Sequence, residues 1–195
     1  MFKTIGVIGA GLMGSEIALV FALAGRPVKL HDSNAKLLKD SESRLERVLQ
    51  KGISRGVYET NAIETVLSRI DLCGSLKSYS DCDLVVEAVF EDEEVKASVL
   101  SELDLIAKPT CVFASNTSSI SITTLASKVS ESRRARFIGT HFFSPVSRMK
   151  LVEVIPALDT DYSTVAQVMA ECVEIGKTPV KVKDVVGFAV NRLLH

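Results

Sequence analysis

The first thirty-two residues constrain this chain more than any other stretch. Thr4-Ile5-Gly6-Val7-Ile8 is a short apolar run that leads directly into Gly9-Ala10-Gly11-Leu12-Met13-Gly14. Ile17, Ala18, Val20, Phe21 and Ala24 then recur at helical spacing. A second run, Pro27–His31, follows Gly25 and ends on Asp32, eighteen residues beyond the last glycine of the turn. Strand, tight turn, helix, strand and acidic residue in this register form the dinucleotide-binding fingerprint. Gly9 allows the turn, Gly11 lets the backbone approach a pyrophosphate, and Gly14 lets the helix pack closely on the strand. The first helical N–H groups, from Leu12 and Met13 onward, then face the phosphates, where the helix dipole favours negative charge. Asp32 is placed to accept hydrogen bonds from the adenosine ribose hydroxyls and to repel a 2′-phosphate, so NAD is expected rather than NADP.

A chain of 195 residues is long enough for one substantial core. Its 47% apolar and 24% charged residues are ordinary for a globular protein, and its net charge of −1 gives no footing for a nucleic-acid or membrane-surface partner. The longest apolar stretches, Ile17–Ala24 and Leu84–Phe90, fall far short of a membrane span. The N-terminus opens straight into the first strand, with no cleavable signal pattern, and a cytoplasmic location is expected. Cys73, Cys82, Cys111 and Cys172 show neither paired spacing nor a nearby His cluster, so they read as reduced packing residues and no metal site is expected.

Beyond Asp32, Leu37, Leu38, Leu45, Val48 and Leu49 share one helical face while Lys36, Lys39, Arg44, Arg47 and Lys51 crowd the rest. With Asn61–Arg69 this predicts a helical hairpin inserted after the second strand, whose Lys51 and Arg55 are candidates for an anionic partner. Asp83–Val89 is a continuous apolar strand, as expected where helices cover both faces of a parallel sheet. Glu91–Glu94 crowds acidic residues into the first turn of a helix that stops near Pro109. Further strands are expected at Thr110–Ala114, Phe137–Thr140, Leu151–Pro156 and Val180–Val182. Helices are expected at Ile122–Lys128, Tyr162–Ile175 and from Gly187, with a basic loop at Arg133–Arg136. The pattern predicts a doubly wound, mostly parallel α/β sheet of the Rossmann type.

In such sheets ligands sit beyond the carboxyl ends of the strands. Ser118, His141, Glu153 and Asn191 are the polar residues that fall there or in the strands alongside. A carboxylate inside Leu151–Ile155 is costly without a partner, and His141 is the natural one. Such a pair holds one imidazole nitrogen as a donor and leaves the other free as a base. Beside NAD, that suggests removal of an alcohol proton as hydride leaves. Ser118 and Asn191 are candidates to donate to the reacting oxygen. Each residue also has a plain structural use, as a cap, a turn residue or a solvent-facing strand position.

Gly9–Gly14, Val86–Glu91, Ser115–Ser119, His141–Pro145, Met149–Ile155 and Gly187–Leu193 together resemble the NAD-binding domain of the L-3-hydroxyacyl-CoA dehydrogenases, in the family's order and nearly its spacing. The resemblance covers essentially the whole chain. It implies His141 as the base acting on the 3-hydroxyl, Glu153 as the carboxylate that orients it, and Ser118 and Asn191 in contact with the reacting oxygen or its neighbours. It implies Glu91 and Lys96 along the nicotinamide end of the cofactor, with Asn116, Ser118 and Ser144 also in the cofactor site. It further implies CoA contacts from the hairpin bearing Lys51 and Arg55, and so an acyl-CoA partner.

Two departures stand out. Ser144 occupies a position where many family members have Asn, as is typical of the peroxisomal multifunctional branch. The family also continues into an all-helical domain that dimerises and closes the acyl-CoA site. Residues 1–186 are therefore expected to form the NAD-binding domain, with 187–195 the start of a helical domain, a homodimer formed by the longer protein, and weak turnover by this chain alone. An organelle matrix address outside these residues is compatible with the sequence. Two other readings stay open: a dehydrogenase of a small 3-hydroxy or sugar acid, and a non-catalytic dinucleotide-binding protein.

Overall fold

The structure, a computed structural model, describes residues 1–193. Eight strands form one sheet in the order β3-β2-β1-β4-β5-β6-β7-β8. β1 (Ile5–Ile8) lies inside the sheet and pairs in parallel with β2 (Val28–His31) and β4 (Leu84–Glu87). β3 (Ile70–Cys73), β5 (Val112–Ser115) and β6 (Phe137–Phe142) extend the parallel run, and β7 (Leu151–Pro156) enters antiparallel to β6 before β8 (Thr178–Lys181) closes the edge. This is the expected doubly wound, mostly parallel architecture.

Two apolar layers explain the near-continuous hydrophobic strands. On one face, Val7, Leu30 and Val86 pack with α1 (Leu12–Leu23), α2 (Ala35–Ile53) and α7 (Tyr162–Glu174). On the other, Val85, Phe113 and Phe137 pack with Tyr79, α4 (Glu93–Ile106) and α5 (Ile122–Ala126). α1 shows little apolar asymmetry because it is buried nearly all round, whereas α2 buries only Ser41, Leu45 and Leu49 and presents its charges to solvent. With α3 (Ala62–Leu67), α2 forms the helical hairpin expected after the second strand.

Several boundaries differ from the sequence pattern. Arg133–Arg136 is not a solvated basic loop: Glu131–Arg134 forms a helical turn, α6, and Arg133 is buried. Its guanidinium donates to Asp104 at 2.9 Å and to the Lys108, Pro109 and Cys111 carbonyls of the tight α4–β5 connection. β4 stops at Glu87, β8 begins at Thr178, and the last helix, α8 (Val190–Leu193), starts later than Gly187. Gly187 and Phe188 both have positive φ, +75° and +47°, which holds the chain out of helix until Ala189 has passed. All four cysteines are buried and unpaired.

Candidate active site

The turn after β1 is shaped by absent side chains. Gly9 has φ +100°, and a Cβ there would stand 2.4 Å from the Ala88 carbonyl oxygen. At Gly14 a Cβ would stand 1.7 Å from the Gly9 carbonyl oxygen, so α1 starts against the turn only with glycine at that position. A Cβ on Gly11 would meet no protein atom within 4 Å. Gly9, Gly11, Leu12, Met13 and Asp32 border a cleft of about 550 Å³ beyond the carboxyl ends of β1, β2 and β4.

Ala10 is fixed through both of its backbone groups. Its N–H donates to Asp32 Oδ2 at 2.8 Å, while its carbonyl accepts from Arg44 Nη1 and from the Ser15 hydroxyl, both at 2.9 Å. Asp32 Oδ1 accepts from the Asn34 N–H at 2.8 Å, and the cap of α2 is Asn34 itself. Asp32 therefore joins the glycine turn to β2 rather than capping the helix.

Next along the sheet is a buried polar cluster. Lys96 is 1% exposed, and its ammonium lies 2.7 Å from Glu87 Oε1 and 3.3 Å from Glu91 Oε2. Glu87 accepts from the Ser115 hydroxyl at 2.5 Å and from the Val89 N–H at 2.8 Å. Lys96 is thus enclosed by carboxylates rather than presented to the cleft as a free cation. Glu91 Oε1 accepts from the Thr117 hydroxyl, the Ser118 N–H, and the Ser119 N–H and hydroxyl. Burial opposes ionisation of Glu91, but these donors and the Lys96 charge outweigh it and hold the carboxyl below its ordinary value.

Ser118, within that turn, meets His141. His141 lies inside β6, not just after it, and pairs across the antiparallel ladder with Glu153 of β7. Its Nδ1 lies 2.7 Å from Glu153 Oε2 and its Nε2 lies 3.0 Å from the Ser118 hydroxyl oxygen. A carboxylate oxygen facing Nδ1 favours the tautomer with the proton on Nδ1, in which Nε2 is the acceptor. The rings of Phe143 and Phe188 flank the imidazole at 4.5 Å and 5.7 Å between centroids. Asn191 reaches Ser118 through its side-chain amide, which lies 3.4 Å from the Ser118 carbonyl. The in-register ends of β1, β4, β5 and β6 carry the site from the glycine turn to His141 across about 14 Å of sheet.

The remaining expected residues fall into two places. Asn116 spends its carbonyl oxygen on the Phe142 N–H at 2.9 Å, fixing the end of β6, while Ser144 is exposed in the turn that follows. Lys51 and Arg55 lie away from the trio, where with Glu16, Tyr58, Pro145 and Arg148 they line a groove of about 320 Å³. Among the described residues no group of three or more His, Cys, Asp or Glu converges as metal ligands would.

Residues 4–185 match the family profile described as 3-hydroxyacyl-CoA dehydrogenase, NAD binding domain. The chain belongs to this family. Its sequence is 44% identical over 189 residues to a probable 3-hydroxybutyryl-CoA dehydrogenase of Deinococcus radiodurans, covering 97% of this chain and 67% of that protein. It is 41% identical to the fatty acid oxidation complex subunit alpha of Idiomarina loihiensis, covering 98% of this chain and 26% of that one. The crystal structure of (S)-3-hydroxybutyryl-CoA dehydrogenase from Ralstonia eutropha superposes with a TM-score of 0.95 at 37% identity, covering 100% of this chain and 68% of that one. The cofactor of this 3-hydroxyacyl-CoA dehydrogenase domain is NAD, and the open Gly11 position and the tied turn fit its pyrophosphate.

Sequence reasoning assigned no individual role to Glu87, Ser115, Thr117, Arg44 or the two flanking phenylalanines, although Ser115–Ser119 stood out as a polar cluster at a strand end. Glu87 carried the same signal as Glu153, a carboxylate in an apolar strand that needs a partner. That partner, Lys96, lies nine residues on and one helical turn into α4.

Proposed function

We propose that the protein carrying this domain oxidises (3S)-3-hydroxyacyl-CoA to 3-oxoacyl-CoA, with His141 as general base and Glu153 as its orienting carboxylate. The observation that carries this reading is the Ser118–His141–Glu153 chain, with one imidazole nitrogen held by Glu153 and the other facing a serine hydroxyl. NAD, when bound in the cleft, supplies the hydride acceptor. The 3-hydroxyl gives its proton to His141 Nε2 as the C3–H electron pair departs, and the C3–O bond becomes a carbonyl. Ser118 and Asn191 then donate to that oxygen, and Glu153 balances the imidazolium. In the reverse direction the same imidazolium returns the proton.

The cationic rim of Lys51, Arg55 and Arg148 supports the groove as the seat of the CoA phosphates. Under the same reading Asp32 meets the adenosine ribose, Glu91 the nicotinamide ribose, and Ser144 the nicotinamide edge. The chain spans about two thirds of the 3-hydroxybutyryl-CoA dehydrogenases named above. The same reading includes a helical domain from residue 187 onward that dimerises and covers the acyl-CoA. A place in fatty-acid β-oxidation and a cytoplasmic location complete the proposal. No helix among the described residues is long and apolar enough to cross a membrane.

The test is acetoacetyl-CoA-dependent NADH oxidation by the complete natural protein, wild type against His141→Gln. Loss of about 10²–10⁴ in kcat supports base and reaction together. Tight NADH binding without turnover of any acyl-CoA would refute the substrate class.

A further inference from the structure

The segment Gly187–Asn191 touches every member of the catalytic trio. The Phe188 ring lies 5.7 Å from the His141 ring, the Asn191 side chain lies 3.4 Å from the Ser118 carbonyl, and the Ala189 and Val190 N–H groups both donate to Glu153 Oε1 at 2.9 Å. Glu153 is 1% exposed, and its two oxygens divide their work: Oε2 serves His141 and Oε1 serves this backbone. The positive φ of Gly187 and Phe188 aims the two N–H groups at one oxygen.

We propose that the Phe188–Asn191 segment is a positioning element of the base, its two N–H groups setting how much of the Glu153 charge His141 meets. This rests on the reading of His141 as general base. A carboxylate that accepts two further N–H donors has less charge left for an imidazolium, so the neutral base is available at lower pH than beside a bare carboxylate. The charged residues on the neighbouring elements are Glu91 and Lys96 at β4–α4, Arg148 and Lys150 on the β6–β7 turn, Lys181, Lys183 and Asp184 at the end of β8, and Arg192 on α8. Among the described residues, His141 and Glu153 form an ion pair only with each other, which leaves the Ala189 and Val190 N–H groups as the direct hydrogen-bonding control on the carboxylate.

The experiment deletes one donor and reads the pH profile. Val190 opens α8, a position where proline is well tolerated, so Val190→Pro removes its N–H while keeping the helix start. An amide-to-ester replacement at the same residue removes the N–H without a ring and covers the case in which Val190→Pro fails to fold. Both are made in the complete protein, with NADH affinity as the folding control. The acid limb of 3-hydroxybutyryl-CoA oxidation is expected to move up by roughly half a unit to one unit, about a three- to tenfold loss on that limb at fixed pH. An unmoved or lowered limb in the folded variants overturns the proposal. His141→Gln run alongside separates the two readings: if it retains full activity the base assignment has failed, whereas its inactivity with an unmoved Val190 limb refutes only the positioning role.

Discussion

Replacing Glu87 by Gln keeps the side chain's shape and removes its charge from a site where the carboxylate is wholly buried. Lys96 Nζ stands 2.7 Å from Glu87 Oε1, where attraction at an effective dielectric constant of about 20 amounts to roughly 6 kcal/mol before desolvation is counted. Desolvation of both ions offsets much of that, and breaking such a buried pair from one side costs about 3–5 kcal/mol. The Gln oxygen still accepts from Lys96, and Glu91 Oε2 remains at 3.3 Å, so the lower end of about 3 kcal/mol is expected. In urea, with a slope of about 2 kcal/mol/M, that loss moves the midpoint down by roughly 1.5 M. Lys96→Met strands Glu87 instead and is expected to cost as much, whereas the double variant should cost clearly less than the sum of the two. A Glu87→Gln midpoint within about 0.3 M of wild type, at unchanged slope, would show that the pair contributes nothing and refute the reasoning.

Two further outcomes follow from the site. Gly14→Ala forces a Cβ to within 1.7 Å of the Gly9 carbonyl oxygen, so the turn must shift; NADH affinity by fluorescence titration is expected to fall by at least about tenfold. Glu91 has its carboxyl lowered below its ordinary value of 4.5, which means its bonds to Thr117, Ser118 and Ser119 are fully present above that value and are lost as pH falls through the lowered one. Amide exchange at Ser118 and Ser119 should therefore accelerate only below about pH 4.5, and Glu91→Gln should abolish that step.

Much of this fold was legible because its signals are local. The glycine turn, the apolar strands and the acidic first turn of α4 each announce themselves within a few residues, and the helical hairpin followed from the leucine stripe of α2. The His141–Glu153 pairing was legible from cost, since a carboxylate in an apolar strand needs a partner. What escaped depends on chain segments far apart. Arg133 looked like part of a solvated run because nothing in sequence shows that carbonyls between Lys108 and Cys111 want its hydrogens. Arg44 likewise counted as one more surface charge on α2, yet it reaches back across 34 residues to the Ala10 carbonyl. The pairing of Lys96 with Glu87 likewise needed the packing of α4 on β4.

The anchoring of Ala10 bears on attempts to change cofactor preference. Asp32 is the residue that a designer would replace to admit a 2′-phosphate, because a carboxylate there repels it. Here that carboxylate also receives the Ala10 and Asn34 N–H groups, so removing it leaves both donors unmet and loosens the pyrophosphate turn along with the ribose pocket. Arg44, the cation at this turn, is already engaged with the Ala10 carbonyl and the Ser15 hydroxyl. A redesign toward NADP must therefore supply a neutral acceptor for Ala10 and a fresh cation, rather than exchange one side chain.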